Sequence, residues 1–184
     1  IIKSRNAEKE AILETAKLML VAARTAPKTA GIDDILTLIV YGKEKNSIAD
    51  KMEEMAKERK IQGFNRDAKS VKDSEAVILI GVRGTKSAGL NCGACGYETC
   101  SKFEKAKKKF GRDFVGPTCL FKALDLGIAL GSAAKIAGLL NVDNRIMYRI
   151  GTAALKLELL AEATVVMGIP VSAKGKSIYF DRAM

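Results

Sequence analysis

The sequence of 184 residues contains no histidine and no tryptophan, and aromatic residues make up only 5% of it. Without histidine, the chain lacks the commonest general base and any mixed Cys/His zinc site. The formal net charge of +10 suits an acidic partner, but so few aromatic side chains argue against a base-stacking surface. We therefore do not expect a nucleic-acid partner.

Long hydrophobic runs are also missing. The most apolar stretch, residues 123–140, is interrupted by Asp125 and Lys135, so we expect no membrane span. No secretory signal is visible, and four cysteines in a chain without one argue against disulfides. These features favour a cytoplasmic protein.

Hydrophobic periodicity predicts a mixture of helices and strands without repeats or low-complexity linkers. Helices are expected at 5–26, 47–60, 99–110, 120–140 and 144–160, and strands at 35–42, 76–82, 164–173 and 177–182. The apolar run "AVILIGV" at 76–82 is typical of a buried central strand, and Ser47 is the expected N-cap of its helix. The pattern predicts one α+β domain over 1–184, with a central sheet flanked by helices.

Small residues follow one another through the predicted helix 120–140. Gly127 and Gly131 have the spacing that lets another backbone approach closely. A tightly packed core helix and a contact between two copies of the chain both explain this pattern. We expect a homodimer.

Three of the four cysteines lie in "GLNCGACGYETC", residues 89–100, among glycines that permit unusual loop conformations. The full set is Cys92, Cys95, Cys100 and Cys119. Structural zinc sites usually contain two closely spaced cysteine pairs, and only the first pair fits here. A cubane 4Fe–4S cluster accepts ligands from one loop and one distant cysteine, so the spacing favours it over zinc and over inert buried thiols.

Residues 92–119 resemble the small four-cysteine 4Fe–4S module of electron-transport subunits and corrinoid iron–sulfur proteins. The shared pattern is Cys-Gly-x-Cys-Gly-x-x-x-Cys, then a short helix, then the last cysteine. The resemblance implies that Cys92, Cys95, Cys100 and Cys119 are the ligands of one cluster. It also implies an inserted module over 83–121, electron transfer and a redox protein partner.

The lysine-rich segment "KFEKAKKKF" follows the third cysteine. Lys102, Lys105 and Lys109 fall near one face of the predicted helix. A solvated helix anchored by its phenylalanines explains the segment, and so does a docking patch for an acidic electron donor.

The rest of the chain resembles the nitroreductase flavoprotein family. The resemblance rests on "AARTAPKTAG" at 22–31, on "DLGIALGSAAKIAGLL" in the predicted helix 120–140 and on "VVMGIP" in a late strand. It implies a nitroreductase-like α+β sandwich, often a tight homodimer. The two resemblances together are similar to a family of uncharacterised ferredoxin-domain proteins.

The nitroreductase resemblance also implies an FMN site. Its matching positions are Arg5, Pro27, Lys28, Thr29 and Arg182. The chain departs from the family where "KTAGID" replaces Ser-x-x-Asn and where "NVDNR" replaces a Gly-rich turn. Ordinary surface charge therefore stays an alternative for the arginines.

Two kinds of function fit the sequence. An iron–sulfur redox protein, linked to flavin as an oxidoreductase where FMN binds, is the leading hypothesis. A cluster or zinc site with a structural or sensing role in a binding module is the alternative. The sequence shows no convincing acid–base pair or nucleophile, because its thiols are assigned as ligands, so no catalytic residue is predicted.

Overall fold

The computed structural model describes residues 1–180, which form six α-helices and six β-strands. The helices are α1 (Ser4–Thr25), α2 (Gly42–Arg59), α3 (Gly63–Asp73), α4 (Cys100–Lys105), α5 (Leu120–Leu139) and α6 (Tyr148–Lys156). The strands are β1 (Ile35–Tyr41), β2 (Ala76–Val82), β3 (Lys109–Phe110), β4 (Val115–Gly116), β5 (Asp143–Asn144) and β6 (Val165–Ser172).

The main sheet has the strand order β1-β2-β6-β5, and each neighbouring pair is antiparallel. Leu79 at the centre of β2 is paired with Leu38 on one side and with Gly168 on the other. Every residue of β2 is buried, as its continuous apolar sequence predicts. The remaining strands, β3 and β4, form a separate two-stranded hairpin.

Helices cover both faces of the sheet. Successive side chains of a strand point to opposite faces, so Val77 and Leu79 join the core with α2, α3 and α6. Ile78 and Ile80 point the other way and join the core with α1 and α5. The predicted α+β sandwich with a central sheet is confirmed.

Residues 83–121 leave the sandwich after β2 and return to it at the start of α5. This segment, which we call the cysteine module, contains α4 and the β3–β4 hairpin. Its small core is centred on Phe103, which is fully buried with Ala88 and Cys119. The Cys119 N–H donates to the carbonyl of Gly84 at 2.8 Å, so the entry and exit of the module are hydrogen-bonded.

Several predicted elements have different bounds in the structure. Helix α2 begins at Gly42, not at Ser47, because Lys45 and Ile48 are buried against the core and extend the helix backwards. The basic helix predicted at 99–110 ends at Lys105, since the chain then turns into the β3–β4 hairpin. The helix predicted at 144–160 is confined to the bounds of α6.

Two further elements differ in kind. Helix α3 was not expected, and it is positioned by tertiary contacts of its buried Phe64 and Asp67. Residues 178–180 of the strand predicted at 177–182 form a turn, in which Tyr179 is buried, and the last two positions lie outside the described residues.

Candidate metal centre

The four cysteines line a single cavity on the cysteine module, although the first and the last are 27 positions apart in the sequence. Cys92 is exposed, Cys95 and Cys100 are partly buried, and Cys119 is buried. The other lining residues are small, apolar or aromatic: Ser87, Ala88, Leu90, Gly93, Tyr97, Phe103, Leu120 and Phe121. The cavity therefore combines four thiols with an apolar wall.

Asn91 fixes the position of the third cysteine. Its backbone N–H donates to Sγ of Cys100 at 3.3 Å, and its side-chain Oδ1 accepts from the Cys100 N–H at 2.8 Å. Asn91 adopts a positive φ of 47°, a conformation that asparagine tolerates better than most residues. Hydrogen bonds from backbone amides to sulfur are a common feature around cysteine ligands of metal centres.

Glycines shape the loop that carries Cys92 and Cys95. Gly93 and Gly96 have φ values of 70° and 84°, which residues with a Cβ rarely adopt. The Gly96 N–H donates to the Gly93 carbonyl at 2.9 Å and closes a turn around Cys95. The glycines thus let the chain fold back within a few residues and bring both thiols to one cavity.

Helix α4 contributes Cys100 and Phe103 to the lining of the cavity. Thr99 caps the helix by accepting a hydrogen bond from the Lys102 N–H at 3.2 Å. Lys108 Nζ donates to the carbonyl of Phe103 at 2.8 Å at the other end and lies over its ring. Ser87 donates two hydrogen bonds to Glu104, which lower the pKa of that carboxyl. These bonds connect α4 to the loop that follows β2.

Cys119 stands directly before α5, at its N-terminal end. The positive end of the helix macrodipole and its free N–H groups stabilise negative charge at this position. The end of the helix is therefore a favourable place for a negatively charged group. Within residues 1–180, no group of three or more Cys, Asp or Glu side chains is arranged to hold a single metal ion.

The loop after α1 contains three of the predicted flavin positions. The Lys28 ammonium donates to the carbonyl of Ala23 at 3.1 Å and also to that of Arg24, at the C-terminal end of α1. Thr29 donates to Asp125 Oδ1 from both its N–H, at 2.9 Å, and its hydroxyl, at 2.8 Å. Pro27 is exposed beside them.

Arg5 lies at the opposite end of α1. The helix has 22 residues, which corresponds to about 33 Å at a rise of about 1.5 Å per residue. Arg5 therefore cannot contact the same small molecule as Thr29 within one chain. Arg182 lies outside the described residues.

Buried charged residues that the sequence analysis does not assign to a site connect this loop and the segment before β1 to α5. Lys122 and Asp125 are buried in the first two turns of α5, and Lys122 Nζ lies 3.0 Å from Asp34 Oδ2. In the sequence, only their position inside an apolar helix indicates that Lys122 and Asp125 are paired, since an ionisable residue there needs a buried partner. Asn91 could have been suspected from its place beside Cys92.

Comparisons with known proteins relate the chain to a ferredoxin-domain family. Residues 115–182 match the family described as "Uncharacterized protein containing a ferredoxin domain (DUF2148)". A protein of Archaeoglobus fulgidus, described as "Uncharacterized protein", is 52% identical over 183 residues, which cover 100% of this chain and 98% of the relative. The chain belongs to this ferredoxin-domain family. The family match includes Cys119, and the other three cysteines lie before it.

Solved structures share the sandwich fold. A candidate NADH dehydrogenase/NAD(P)H nitroreductase of Bacteroides thetaiotaomicron has a TM-score of 0.57 at 13% identity, covering 89% of this chain and 74% of that one. An oxidoreductase containing FMN has a TM-score of 0.56 at 14% identity, with coverages of 89% and 67%. A candidate nitroreductase in complex with FMN from Desulfovibrio desulfuricans has a TM-score of 0.54 at 11% identity, covering 93% of this chain and 79% of that one.

At these identities the structural neighbours establish the fold, which is nitroreductase-like as the sequence predicts. The ferredoxin-domain family and these neighbours together indicate a redox role. No helix within residues 1–180 combines the length and the hydrophobicity needed to cross a membrane.

Proposed function

We propose that Cys92, Cys95, Cys100 and Cys119 hold one 4Fe–4S cluster and that the protein transfers electrons through it. The observation that carries the proposal is the single cavity lined by all four cysteines. Cysteine thiolates are the usual ligands of iron–sulfur clusters, and the apolar wall suits a site shielded from water. The ferredoxin domain of the family supports the same chemistry.

A bound cluster of this type supplies a one-electron couple. The chain's own residues set its surroundings. The Asn91 N–H donates to Cys100 Sγ, the N-terminal end of α5 faces Cys119, and Phe103 limits the access of water. Each of these features stabilises negative charge or controls solvation, and both factors determine a reduction potential.

The test is anaerobic purification followed by iron and sulfide analysis, absorption spectroscopy and EPR. We expect about four iron atoms and about four sulfides per chain, together with a reversible one-electron couple. Serine substitution of any of the four cysteines should lower the iron content. Ser101→Ala, a change on an exposed neighbour of Cys100, should leave it unchanged.

The possible results separate the alternatives. One zinc per chain without iron would refute the proposal and support a zinc-stabilised binding module. A cluster that binds but cannot be reduced and reoxidised would support a structural or sensing role. Full iron content in Cys119→Ser would remove that residue from the ligand set.

A flavin-linked oxidoreductase is the second proposal. It is supported by the fold shared with FMN-containing proteins and by the place of the Pro27–Thr29 loop. Thr29 is hydrogen-bonded to Asp125, which lies six residues after Cys119, or about 9 Å along α5. A flavin at this loop would therefore lie close enough to the cluster for direct electron exchange.

The length of α1 imposes a condition on this flavin site. Arg5 can contribute only if it comes from a second copy of the chain, because one flavin cannot reach both ends of α1. Quenching of flavin fluorescence on addition of protein tests the site. We expect weaker FMN binding in Arg5→Met and Thr29→Val and unchanged binding in Lys3→Met. Equal binding by all three variants would argue against these positions.

We further propose a homodimer that is formed across α5 and α1. Leu124 and Ile128 of α5 and Val21 of α1 are 49%, 45% and 58% exposed, although each is a large apolar side chain. Gly127 and Gly131 lie on the same side of α5 with open space around their Cα atoms. This face permits the close backbone approach that the small residues predict.

Light scattering coupled to size exclusion tests the dimer. Ile128→Lys should give monomers, because it places a charge at the centre of the apolar face. Ile146→Lys changes a similarly exposed isoleucine outside that face and should stay dimeric. A monomeric wild-type protein would refute this arrangement.

The proposed cluster also favours a reducing compartment, and we propose the cytoplasm. Cys92 is exposed and would be open to oxidation wherever the cluster is lost. A reducing environment keeps such thiols available as ligands.

A further inference from the structure

A second concave surface lies next to the cysteine cavity. Tyr97, Phe114 and Pro117 line it, together with Lys107 and Lys109, and we call it the basic groove. Both lysines are exposed. Neither the cluster ligands nor the flavin positions belong to it.

The positive charge around the basic groove is not neutralised. Among residues 1–180, the side chains of Lys105, Lys107, Lys109 and Arg112 have no ion pair or hydrogen-bond partner, and all four are exposed. Some surface lysines elsewhere have carboxylate partners, as in the pairs Lys17–Glu14, Lys51–Glu54 and Lys69–Asp73, and others have none. Here four unpaired cations lie within eight consecutive positions, 105–112. The charge here is thus left free to attract a partner.

The cysteine module holds a large share of the charge of the whole chain. Residues 83–121 contain eight Lys or Arg and three Asp or Glu, a net charge of +5, whereas the complete chain has +10. This is half of the charge in about a fifth of the length. Because clustered charge of one sign raises the association rate of oppositely charged partners, the module is the face where such partners would arrive first.

Tyr97 connects the basic groove to the cysteine cavity, since its side chain lines both. Its ring meets that of Phe103 edge to face, with centroids 5.7 Å apart and an interplanar angle of 72°. Phe103 in turn lines the cysteine cavity. A partner seated in the groove would therefore be separated from the thiols by little more than one aromatic side chain.

We infer that the basic groove and the four free cations around it dock an acidic one-electron carrier protein. The inference rests on the proposed iron–sulfur function and names the partner of that site. In the step it serves, the reduced carrier loses one electron and the cluster gains it, and no bond or proton is exchanged. The wide, open spread of the cations fits a protein surface better than a small anion, which would need enclosing groups.

The experiment measures how fast a reduced acidic ferredoxin reduces the anaerobically purified, cluster-loaded protein. Stopped-flow mixing at low and at physiological ionic strength gives the second-order rate constant and its salt dependence. The test variant is Lys105→Glu/Lys107→Glu/Lys109→Glu. The control, Lys3→Glu/Lys9→Glu/Lys43→Glu, makes the same change in net charge at exposed lysines.

The control lysines are remote from the module. Lys43 follows β1 at the end of the sheet where β2 begins. Lys9 lies beside Glu75 at the same end. The module leaves the sheet at the opposite end, after Val82.

We expect the test variant to lose at least about tenfold in rate at low ionic strength and to lose most of its salt dependence. The control should stay within about threefold of wild type, because remote charges are screened. Equal rates and salt slopes in the two variants would overturn the inference. Tight binding of a single-stranded oligonucleotide, measured by anisotropy and lost in the test variant, would overturn it in favour of a nucleic-acid surface.

Two readouts separate this inference from the proposed function. Iron and sulfide content, measured on each variant, show whether the cluster is present. Reduction by methyl viologen radical, a small cation that needs no docking, should not slow in the test variant. If wild-type protein contains no cluster, the proposed function fails; if the cluster is intact and the groove charges do not matter, only the inference fails.

Discussion

Lys122 offers a sharp test of what joins the start of α5 to the segment before β1. Its side chain is 0% exposed, and Nζ lies 3.0 Å from Asp34 Oδ2 and 3.1 Å from the carbonyl of Ile32. Asp125 Oδ2 is 4.0 Å away, and Asp125 Oδ1 accepts both hydrogen bonds from Thr29. One ammonium thus stabilises two buried carboxylates that join α5 to the segments before β1.

Lys122→Met keeps most of the length of the side chain but removes its charge. Asp125 would stay buried without a cation, and Asp34 would keep only the more distant Lys86, at 3.6 Å, and Arg83, at 4.0 Å. Breaking a buried ion pair in this way costs about 3–5 kcal/mol. Domains have about 5–15 kcal/mol of stability in total, so the expected loss is large. With an m-value of about 2–3 kcal/mol/M in urea, the unfolding midpoint should fall by about 1–2 M.

The assay is urea unfolding of the metal-free protein followed by far-UV circular dichroism, so that ligand binding does not contribute. Lys135→Met is the matched control, because Lys135 is an exposed lysine of the same helix, and it should change stability by less than about 0.5 kcal/mol. Adding Asp34→Asn and Asp125→Asn to Lys122→Met should recover part of the loss. Coinciding midpoints for Lys122→Met and Lys135→Met would refute this reasoning.

Two further predictions concern packing and pH. A Cβ on Gly151 would lie 1.6 Å from the carbonyl oxygen of Val166. Gly151→Ala should therefore lower the free energy of unfolding, measured by thermal unfolding, by more than about 4 kcal/mol. A Cβ on Gly175 has nothing within 4 Å, so Gly175→Ala should be close to neutral. Burial raises the pKa of Asp33, but hydrogen bonds and charge from Arg24 outweigh it, so the pKa lies below its ordinary value. The carboxylate then stabilises the fold above a pH of about 4 and ceases to do so as the pH falls through the folded pKa. The melting-temperature advantage of wild type over Asp33→Asn should shrink on acidification, and an advantage that is independent of pH would contradict the assignment.

The sequence predicts those elements best whose periodicity is strong and whose packing is local. Strand β2 has the predicted bounds because a continuous apolar run between polar residues leaves little freedom. Helices α1 and α5 agree to within one residue at each end for the same reason, since long apolar stripes define them.

Elements that depend on distant contacts were missed. The sequence of α3 is polar, and its buried Asp67 is held by Arg149 Nη1 at 2.8 Å, a contact across 82 positions of the chain. The strand expected at 177–182 has β-type side chains, yet Tyr179 is buried in a turn instead. Propensity alone cannot anticipate such tertiary contacts.

The candidate site divides in the same way. The spacing of the first three cysteines is local and leads to the proposed ligand set, and all four cysteines line one cavity in the structure. The bond from Asn91 to Cys100 spans nine positions and depends on a positive φ that sequence patterns do not specify. Lys122 needed a partner from before β1, 88 positions away, which only the folded chain supplies.

The geometry of the cysteine module explains how this segment and a nitroreductase-like sandwich fit together in one chain. The module leaves after β2 and returns at α5, and the Cys119 N–H bonds to the Gly84 carbonyl at 2.8 Å, so its two ends are adjacent. An insertion whose ends meet does not move the elements it connects. The last cysteine thereby stands at the first turn of the helix that carries Lys122 and Asp125 three and six residues later. The same helix then positions the thiol of Cys119, anchors the Thr29 loop and presents the apolar face at Ile128, so the redox proposals all depend on its register.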